Sequence, residues 1–461
     1  MSDQALIQDL QEAIGVEKVL TSLEDRIAYS YDGTFEQDLP DVAILPESNE
    51  DVAAILRLAQ EYDVPVVPRG MASGLAAASV PFGGGIVLSL TKMNRILEID
   101  EENHTVRVEA GAITADVEAA VEEFGLFYPP DPSSNEQSTI GGNIACNAGG
   151  PRCLKYGVTG DYVMGLTVVL ADGQVLRTGG KAIKNVVGYD LNALFVGSEG
   201  TLGVITEALL RLTTKPRAVR TARAEFPALE DASRTVNAIL DAGVVPATLE
   251  MMDETAITCI EEAMGLGLPL DVEAMLIIET DGSDEETVLR EIETVARVCR
   301  ESGAREVIIA KSEGEREQLW RARRSVSPSL ARKAPNKLGE DITVPRSAIP
   351  EAVRRIKAIS AHYGLPIVIF GHAGDGNLHP NILFDKRNEE EWKKVQQIVG
   401  EIFQVALDLE GTLSGEHGVG TLKRPYMEQA LGRLSLDVQR RIKGALDPHG
   451  ILNPGKVLPG P

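Results

Sequence analysis

Apolar positions recur along this chain with helical spacing in some stretches and strand spacing in others, and the changes mark its organisation. The first 38 residues, with DQALIQDLQEAIG, read as a helical N-terminal extension. From Asp41 the pattern becomes strand, helix, strand: VAILP, then Glu50 to Tyr62 with apolar residues three and four apart, then VPVVP. Asn49 stands where that helix would be capped. Short apolar strands follow, IVLSL, ILEID and TVRVEAG, with an amphipathic helix over Thr114 to Phe124. MGLTVVLADGQVLRTG predicts a hairpin turning at Asp172 and Gly173. FVGSEGTLGVITEALLRL completes the region by about Leu212.

Beyond Lys215 the rhythm changes. RTARAEF, helix, ATLEMMD; AMLIIETDG, helix, EVIIAKS; DITVPRS, helix, PIVIFGHAG and LHPNILF repeat strand, helix, strand. Such a recurrence suits an antiparallel sheet covered by helices on one side.

Size and charge narrow the function. At 461 residues the chain is too long for one ordinary domain, and 43% apolar with 25% charged residues is the composition of a globular protein with sizeable cores. A formal net charge of −24 argues against nucleic acid or an anionic membrane as partner. The start, MSDQALIQDLQEAIG, has neither a basic end nor an apolar run, which predicts no leader and a cytoplasmic protein. Met71 to Leu90 is interrupted by Gly74, Pro81 and Gly83 to Gly85, so no integral membrane segment is expected there. Cys146, Cys153, Cys259 and Cys299 lack the short paired spacing that holds zinc or an iron–sulfur cluster.

Three stretches carry candidate chemistry. EQSTIGGNIACNAGGPRCLKYG, Glu136 to Gly157, is built of small residues whose backbone can press against a large flat ligand. That suits a flavin, and a crowded core loop would look similar. VPVVP runs straight into Arg69, Gly70, Met71, Ala72, Ser73 and Gly74, a turn of the kind that aims backbone N–H groups at phosphate, or an ordinary turn. The third is split. Gly371 to Asn381 contains the turn AGDGN, which folds the chain back so that His372 and His379 converge across a hairpin, and Glu416 and His417 follow about forty residues on. A lone histidine is most simply a satisfied core residue. Two imidazoles and a carboxylate with open positions make a divalent-metal site, here His372, His379 and Glu416.

The order of VVPRGMASGL, PPDPSS, TIGGNIACNAGG, DYVMGLTVVLADGQV, KNVVGYDL and GSEGTLGVIT resembles the FAD domain of the vanillyl-alcohol oxidase type, in the branch that holds D-lactate dehydrogenase, D-2-hydroxyglutarate dehydrogenase and the glycolate oxidase D subunit. The likeness runs over roughly residues 20 to 458. It implies an α+β fold: a two-subdomain FAD-binding domain plus an antiparallel-sheet cap with helices on one face. The expected boundaries are 1–38 for the extension, 39–214 for the FAD domain, 215–430 for the substrate and metal cap, and 431–461 for a segment returning to the FAD domain. The resemblance assigns the pyrophosphate to Arg69, Gly70, Met71, Ala72, Ser73 and Gly74. It assigns flavin contacts to Pro130, Ser138, Gly141, Gly142, Asn143, Ala145, Asn147, Ala148, Gly150, Gly157, Gly200, Gly203, Ile205 and Asn453. Relatives carry more glycine in the phosphate loop, so Met71, Ala72, Ala77 and Ala78 would cost roughly 1–2 kcal/mol wherever φ must be positive. That loop has no histidine, and non-covalent FAD is expected.

The resemblance further implies that His417 is the base and not a ligand. LWRARRSVSPS places the substrate-carboxylate grip at Arg323 and Ser327, while a solvated helix face would also explain its arginines. Asn381 matches a substrate contact of the hydroxyglutarate enzymes, and Lys337 is a looser match. The expected reaction is FAD-dependent oxidation of a small D-2-hydroxy acid of the D-lactate or glycolate type, aided by zinc, manganese or iron. Electrons would pass to an external acceptor: a quinone, an electron-transfer protein or an iron–sulfur subunit. A homodimer and a place in a multi-subunit oxidase, peripheral to a membrane through a partner, both stay open. The alternatives are a flavin-dependent alkyl transferase and an FAD-binding subunit that acts only with partners.

Overall fold

The computed structural model describes residues 3–460. The chain divides into two compact units, the first made of the residues up to Gly149, Val158–Lys215 and those from Glu416 onward, the second of Gly150–Gly157 and Pro216–Gly415.

The first unit holds two sheets. In one, Val42–Ile44 and Val66–Arg69 flank Ile86–Ser89 in parallel, and Val19–Leu20 adds an antiparallel edge. Helix Asn49–Tyr62 is the crossover between two of these strands. Its Val52, Ile55, Leu56 and Ala59 recur at helical spacing and are buried in the core cluster that contains the sheet's Ile44, Val66, Ile86 and Leu88. The cap is Ser48, whose side chain accepts from Asp51 N, so the cap expected at Asn49 stands one residue earlier. The other sheet has five antiparallel strands in the order Ile96–Asp100, Thr105–Glu109, Val204–Arg211, Val163–Val169, Val175–Arg177. Its last pair is the hairpin predicted at Asp172 and Gly173.

Segments near both ends of the described residues pack into this unit. Helix Asp3–Ile14 is not a separate extension: Leu6, Leu10 and Ile14 lie one turn apart and share a core cluster with Ile55, Leu56 and Ile86. Ile451 and Leu452 join the same cluster. The return to this unit begins at Glu416, earlier than the boundary expected after residue 430. Between Val175–Arg177 and helix Leu191–Phe195 a loop holds Ile183, Val186, Val187 and Tyr189 at 89–96% exposure.

The second unit is built on an eight-stranded antiparallel sheet. Its main path runs Glu306–Ile309, Ala218–Phe226, Ala274–Gly282, Thr248–Asp253, Ile367–His372, Asn377–Phe384, Asn336–Gly339, and Ile342–Thr343 also pairs with Asn377–Phe384. Helices Leu229–Asp241, Glu285–Glu301 and Ile349–Tyr363 are those the rhythm predicts. Leu229–Asp241 packs on the Met251 side, where Ser233 Oγ meets Met251 Sδ at 3.8 Å. A second group, Glu254–Met264, Glu313–Arg324 and Val326–Lys333, packs on the opposite side with Met252, Met275, Ile277, Val368 and Phe370. Among the described residues no helix is long and apolar enough to cross a membrane.

Candidate active site

Strand alternation in the second unit gathers polar side chains on one face of an otherwise apolar sheet. Along Thr248–Asp253, Glu250 and Met252 share a face, and Glu250 sits directly opposite His372 in the pairing with Ile367–His372. Across the hairpin, Phe370 is opposite His379 and His372 opposite Asn377. His372 and His379 therefore lie on one face, with ring centroids 5.1 Å apart, and the turn AGDGN brings them together as its spacing predicts. Asn381, two residues beyond His379, shares that face and donates its Nδ2 to His379 O at 2.9 Å.

One acid organises this face. Glu250 is fully buried: Oε1 pairs with His372 Nδ1 at 2.6 Å and Oε2 accepts from Arg323 Nε at 2.6 Å. Burial pushes its carboxyl pKa up, but the adjacent His372 and Arg323 outweigh that and hold it below the ordinary carboxylate value. The Arg323 guanidinium also lies over the Phe370 ring, 4.9 Å from its centroid. Of the three neighbouring arginines, Arg323 turns inward, Arg321 is exposed and Arg324 pairs with Glu317 on the surface. Ser327 is exposed and accepts from Lys337 Nζ, a lysine whose pKa desolvation lowers.

A second acid fixes the end of this unit. Asp341 is fully buried; Oδ1 accepts from Asn377 Nδ2 at 2.6 Å, and Oδ2 accepts from Ser414 Oγ at 2.7 Å and Gly415 N at 2.9 Å. His379 Nδ1 is 3.9 Å from Asp341 Oδ1. Glu416 and His417 are the next residues along the chain.

A third acid stands on the other side of them, within the first unit. Glu199, left-handed at φ 50, accepts Val419 N at 2.6 Å and Gly420 N at 2.8 Å on its two carboxylate oxygens. Burial raises its carboxyl pKa, partly offset by those two amides. Only glycine fits at 420, where φ is 50 and a Cβ would fall 1.8 Å from Ala76 O. Glu416 and His417 thus sit between two chain segments that buried carboxylates hold, and both are half-buried.

The residues assigned to FAD line several segments of the first unit. Gly141, Gly142, Asn143 and Ala145 are in helix Ile140–Cys146, Asn147 is its left-handed cap, and Ala148 follows. Gly70 approaches Thr139 so closely that a Cβ would lie 2.2 Å from its Oγ1. Ser138 and Pro130 are buried before that helix, and Gly200, Gly203 and Ile205 are buried at and before strand Val204–Arg211. Asn453 donates to Ala78 O at 3.1 Å and Glu199 O at 2.7 Å. Gly150 and Gly157 bound the short segment that belongs to the second unit. In the loop expected to meet the phosphates Met71 is exposed and Ser73 and Gly74 are half-buried, and Ala72 and Ala77 have φ of 55 and 58. Arg69 commits its guanidinium to Tyr29 O and Tyr31 O, so its side chain serves the loop's own scaffold.

Residues 215–457 match the family model for FAD linked oxidases, C-terminal domain, and residues 40–179 match that for an FAD binding domain. The chain belongs to the FAD-linked oxidases. It is 48% identical over 452 residues to "Glycolate oxidase subunit GlcD" of Bacillus subtilis (strain 168), covering 98% of this chain and 96% of that one. It is 35% identical over 461 residues to "D-lactate dehydrogenase" of Anaerostipes hadrus, covering 98% and 97%. Among solved structures, p-cresol methylhydroxylase with substrate bound has the same fold at TM-score 0.81 and 18% identity, covering 98% of this chain and 96% of that one. The vanillyl-alcohol-oxidase-type fold expected from the motifs is the fold found.

The first unit fits the FAD this family binds. Asn453 Oδ1, Ser198 Oγ and Thr421 Oγ1 are buried polar atoms with no hydrogen-bond partner among the described residues, as a polar ligand would require. The same unit holds Cys146, whose thiol burial pushes up to about 12, and Lys456, which desolvation brings down to about 8. Glu250, Asp341 and Glu199 are the site residues the sequence reading missed. Glu250 is an acid at a strand position whose neighbours are all buried, whereas Asp341 stands beside Glu340 and Glu199 lies in GSEGTLG, so no shared local signal marks the three.

Proposed function

We propose that this chain oxidises a small D-2-hydroxy acid of the glycolate or D-lactate type to the 2-oxo acid, using non-covalent FAD and a divalent ion, zinc, manganese or iron. The observation that carries it is the single face on which Arg323, His372, His379 and Asn381 converge, an anion grip beside an imidazole pair.

The residues would divide the work as follows. Arg323 and Asn381 hold the substrate carboxylate, the arginine through the N–H groups that Glu250 does not take, and Ser327 with Lys337 closes the grip. His372, His379 and Glu416 would hold the ion, which when bound makes the substrate hydroxyl acidic enough to ionise near neutral pH. His417 takes the hydroxyl proton. FAD, when bound, supplies the two-electron acceptor at N5. Asp341 and Glu199 hold the chain on either side of Glu416 and His417, so that both side chains keep a fixed origin. The electrons then leave to an external acceptor, which we place on a quinone, an electron-transfer protein or a partner subunit, with the chain in the cytoplasm.

Anaerobic stopped-flow with glycolate and with the D- and L-forms of lactate, 2-hydroxyglutarate and malate tests the reading. Loss of oxidised-flavin absorbance with glycolate or with one D-acid, and with no L-acid, is expected. An unbleached flavin with every acid would refute it.

A further inference from the structure

Glu250 is itself assigned neither to the ion nor to proton transfer, yet it contacts a residue of each half of the proposed site. Its two oxygens are each used once. Oε1 meets His372 Nδ1 at 2.6 Å and Oε2 meets Arg323 Nε at 2.6 Å, in a position with no solvent exposure. A carboxylate can only accept, so His372 must carry its proton on Nδ1, which leaves the Nε2 lone pair for a cation. The same acid receives Arg323 through Nε, so neither of the two terminal NH2 groups of the guanidinium is taken by it. Strand pairing fixes Glu250 opposite His372, and helix Glu313–Arg324 fixes Arg323 above it.

We infer that Glu250 is a positioning residue that couples the two binding functions: one buried carboxylate sets the tautomer of a metal-binding histidine and the orientation of the substrate-binding arginine. This rests on the reading of the site given above. The coupling has a chemical signature. In Glu250→Gln the side chain keeps its shape but has one acceptor and one donor. If the amide oxygen faces His372, its NH2 is pressed against the Arg323 Nε–H, donor against donor. If it is reversed, His372 Nδ1 becomes the acceptor and its proton moves to Nε2, where the cation must bind. Neither orientation serves both partners.

The test uses the FAD-loaded protein stripped of metal by chelator and dialysed against chelator-buffered zinc, with bound zinc measured by mass spectrometry. The KM and kcat for the accepted hydroxy acid are then measured at saturating zinc. Glu250→Gln is expected to weaken zinc binding by about 10–100-fold. It should also raise KM about tenfold or more, while FAD content stays near the parent's and the melting temperature falls with the loss of the buried ion pair. If Glu250→Gln does not fold, Glu250→Asp, which keeps the charge but is too short to span both partners, should show both losses. Zinc affinity or KM within about twofold of the parent, with the other also unchanged or changed alone, overturns the coupling. A parent protein that binds no divalent ion overturns the metal reading together with this inference, whereas a zinc-binding parent and an equally zinc-binding variant overturn only the inference.

Discussion

A methyl group at a left-handed backbone position is a local cost that can be measured. Ala72 and Ala77, in and just beyond the loop expected to meet the phosphates, have φ of 55 and 58, where glycine would be unstrained and a Cβ costs roughly 1–2 kcal/mol. Ala72 is half-buried, so Ala72→Gly should raise the melting temperature of the FAD-loaded protein by about 1–3 °C. Ala77 is fully buried, and losing its methyl gives back about 0.8 kcal/mol, so Ala77→Gly should change it less. Scanning fluorimetry of the two variants side by side checks the order. His417→Ala should slow flavin reduction at least about 100-fold while FAD stays bound, as single-turnover absorbance would read. His372, His379, Glu416 and His417 could be singled out from sequence because histidines are few and a glycine-rich turn folds two of them together. Glu250 and Glu199 could not, because their partners lie 122 and 220 residues away and nothing local announces them.

Elements with a clear period were legible, and elements shaped by distant packing were not. The crossover helix Asn49–Tyr62 and the hairpin at Asp172 follow from local pattern alone. Helix Asp3–Ile14 reads as an extension because nothing local shows its burial, which comes from Ile55 and Leu56 of the later helix Asn49–Tyr62. At this scale Glu199 is the peg of the segment Gly418–Gly420, so Glu199→Ala should lose two charge-assisted hydrogen bonds. Amide exchange at Val419 and Gly420 should then rise while the crossover helix keeps its protection; unchanged exchange at both would remove Glu199 from that role. Glu279, in strand Ala274–Gly282, gives a pH-dependent counterpart. Burial raises its carboxyl pKa, but Arg316, Thr221 and Trp320 outweigh this and hold it below the ordinary value. A folded-state pKa below the unfolded one stabilises above about pH 4.3, and that contribution is lost as pH falls through the folded value. The melting-temperature gap between the parent and Glu279→Gln should therefore be widest near neutrality and shrink in acid.

For the whole molecule, neither unit is a single run of chain. The path leaves the first unit at Gly149, returns at Val158, leaves again at Lys215 and comes back at Glu416. The tail brings Ile451 and Leu452 into the core of the first unit and anchors Asn453 against Val66, Ala78 and Glu199. A chain cut after Lys215 should fail to fold or hold FAD, and adding residues 416–461 as a separate piece should restore some of both; a stable FAD-loaded 1–215 fragment would contradict this. Glu416, a proposed ion ligand, is the residue at which the last return begins. The central claim is that this site oxidises its substrate only with a divalent ion in place. Its most direct test is the rate of flavin reduction by the accepted D-2-hydroxy acid before and after divalent ions are removed from the FAD-loaded protein. The account predicts that reduction stops on removal, resumes when zinc or manganese is returned, and does not resume in His372→Ala. Metal-free protein that bleaches its flavin at the parent rate would contradict it.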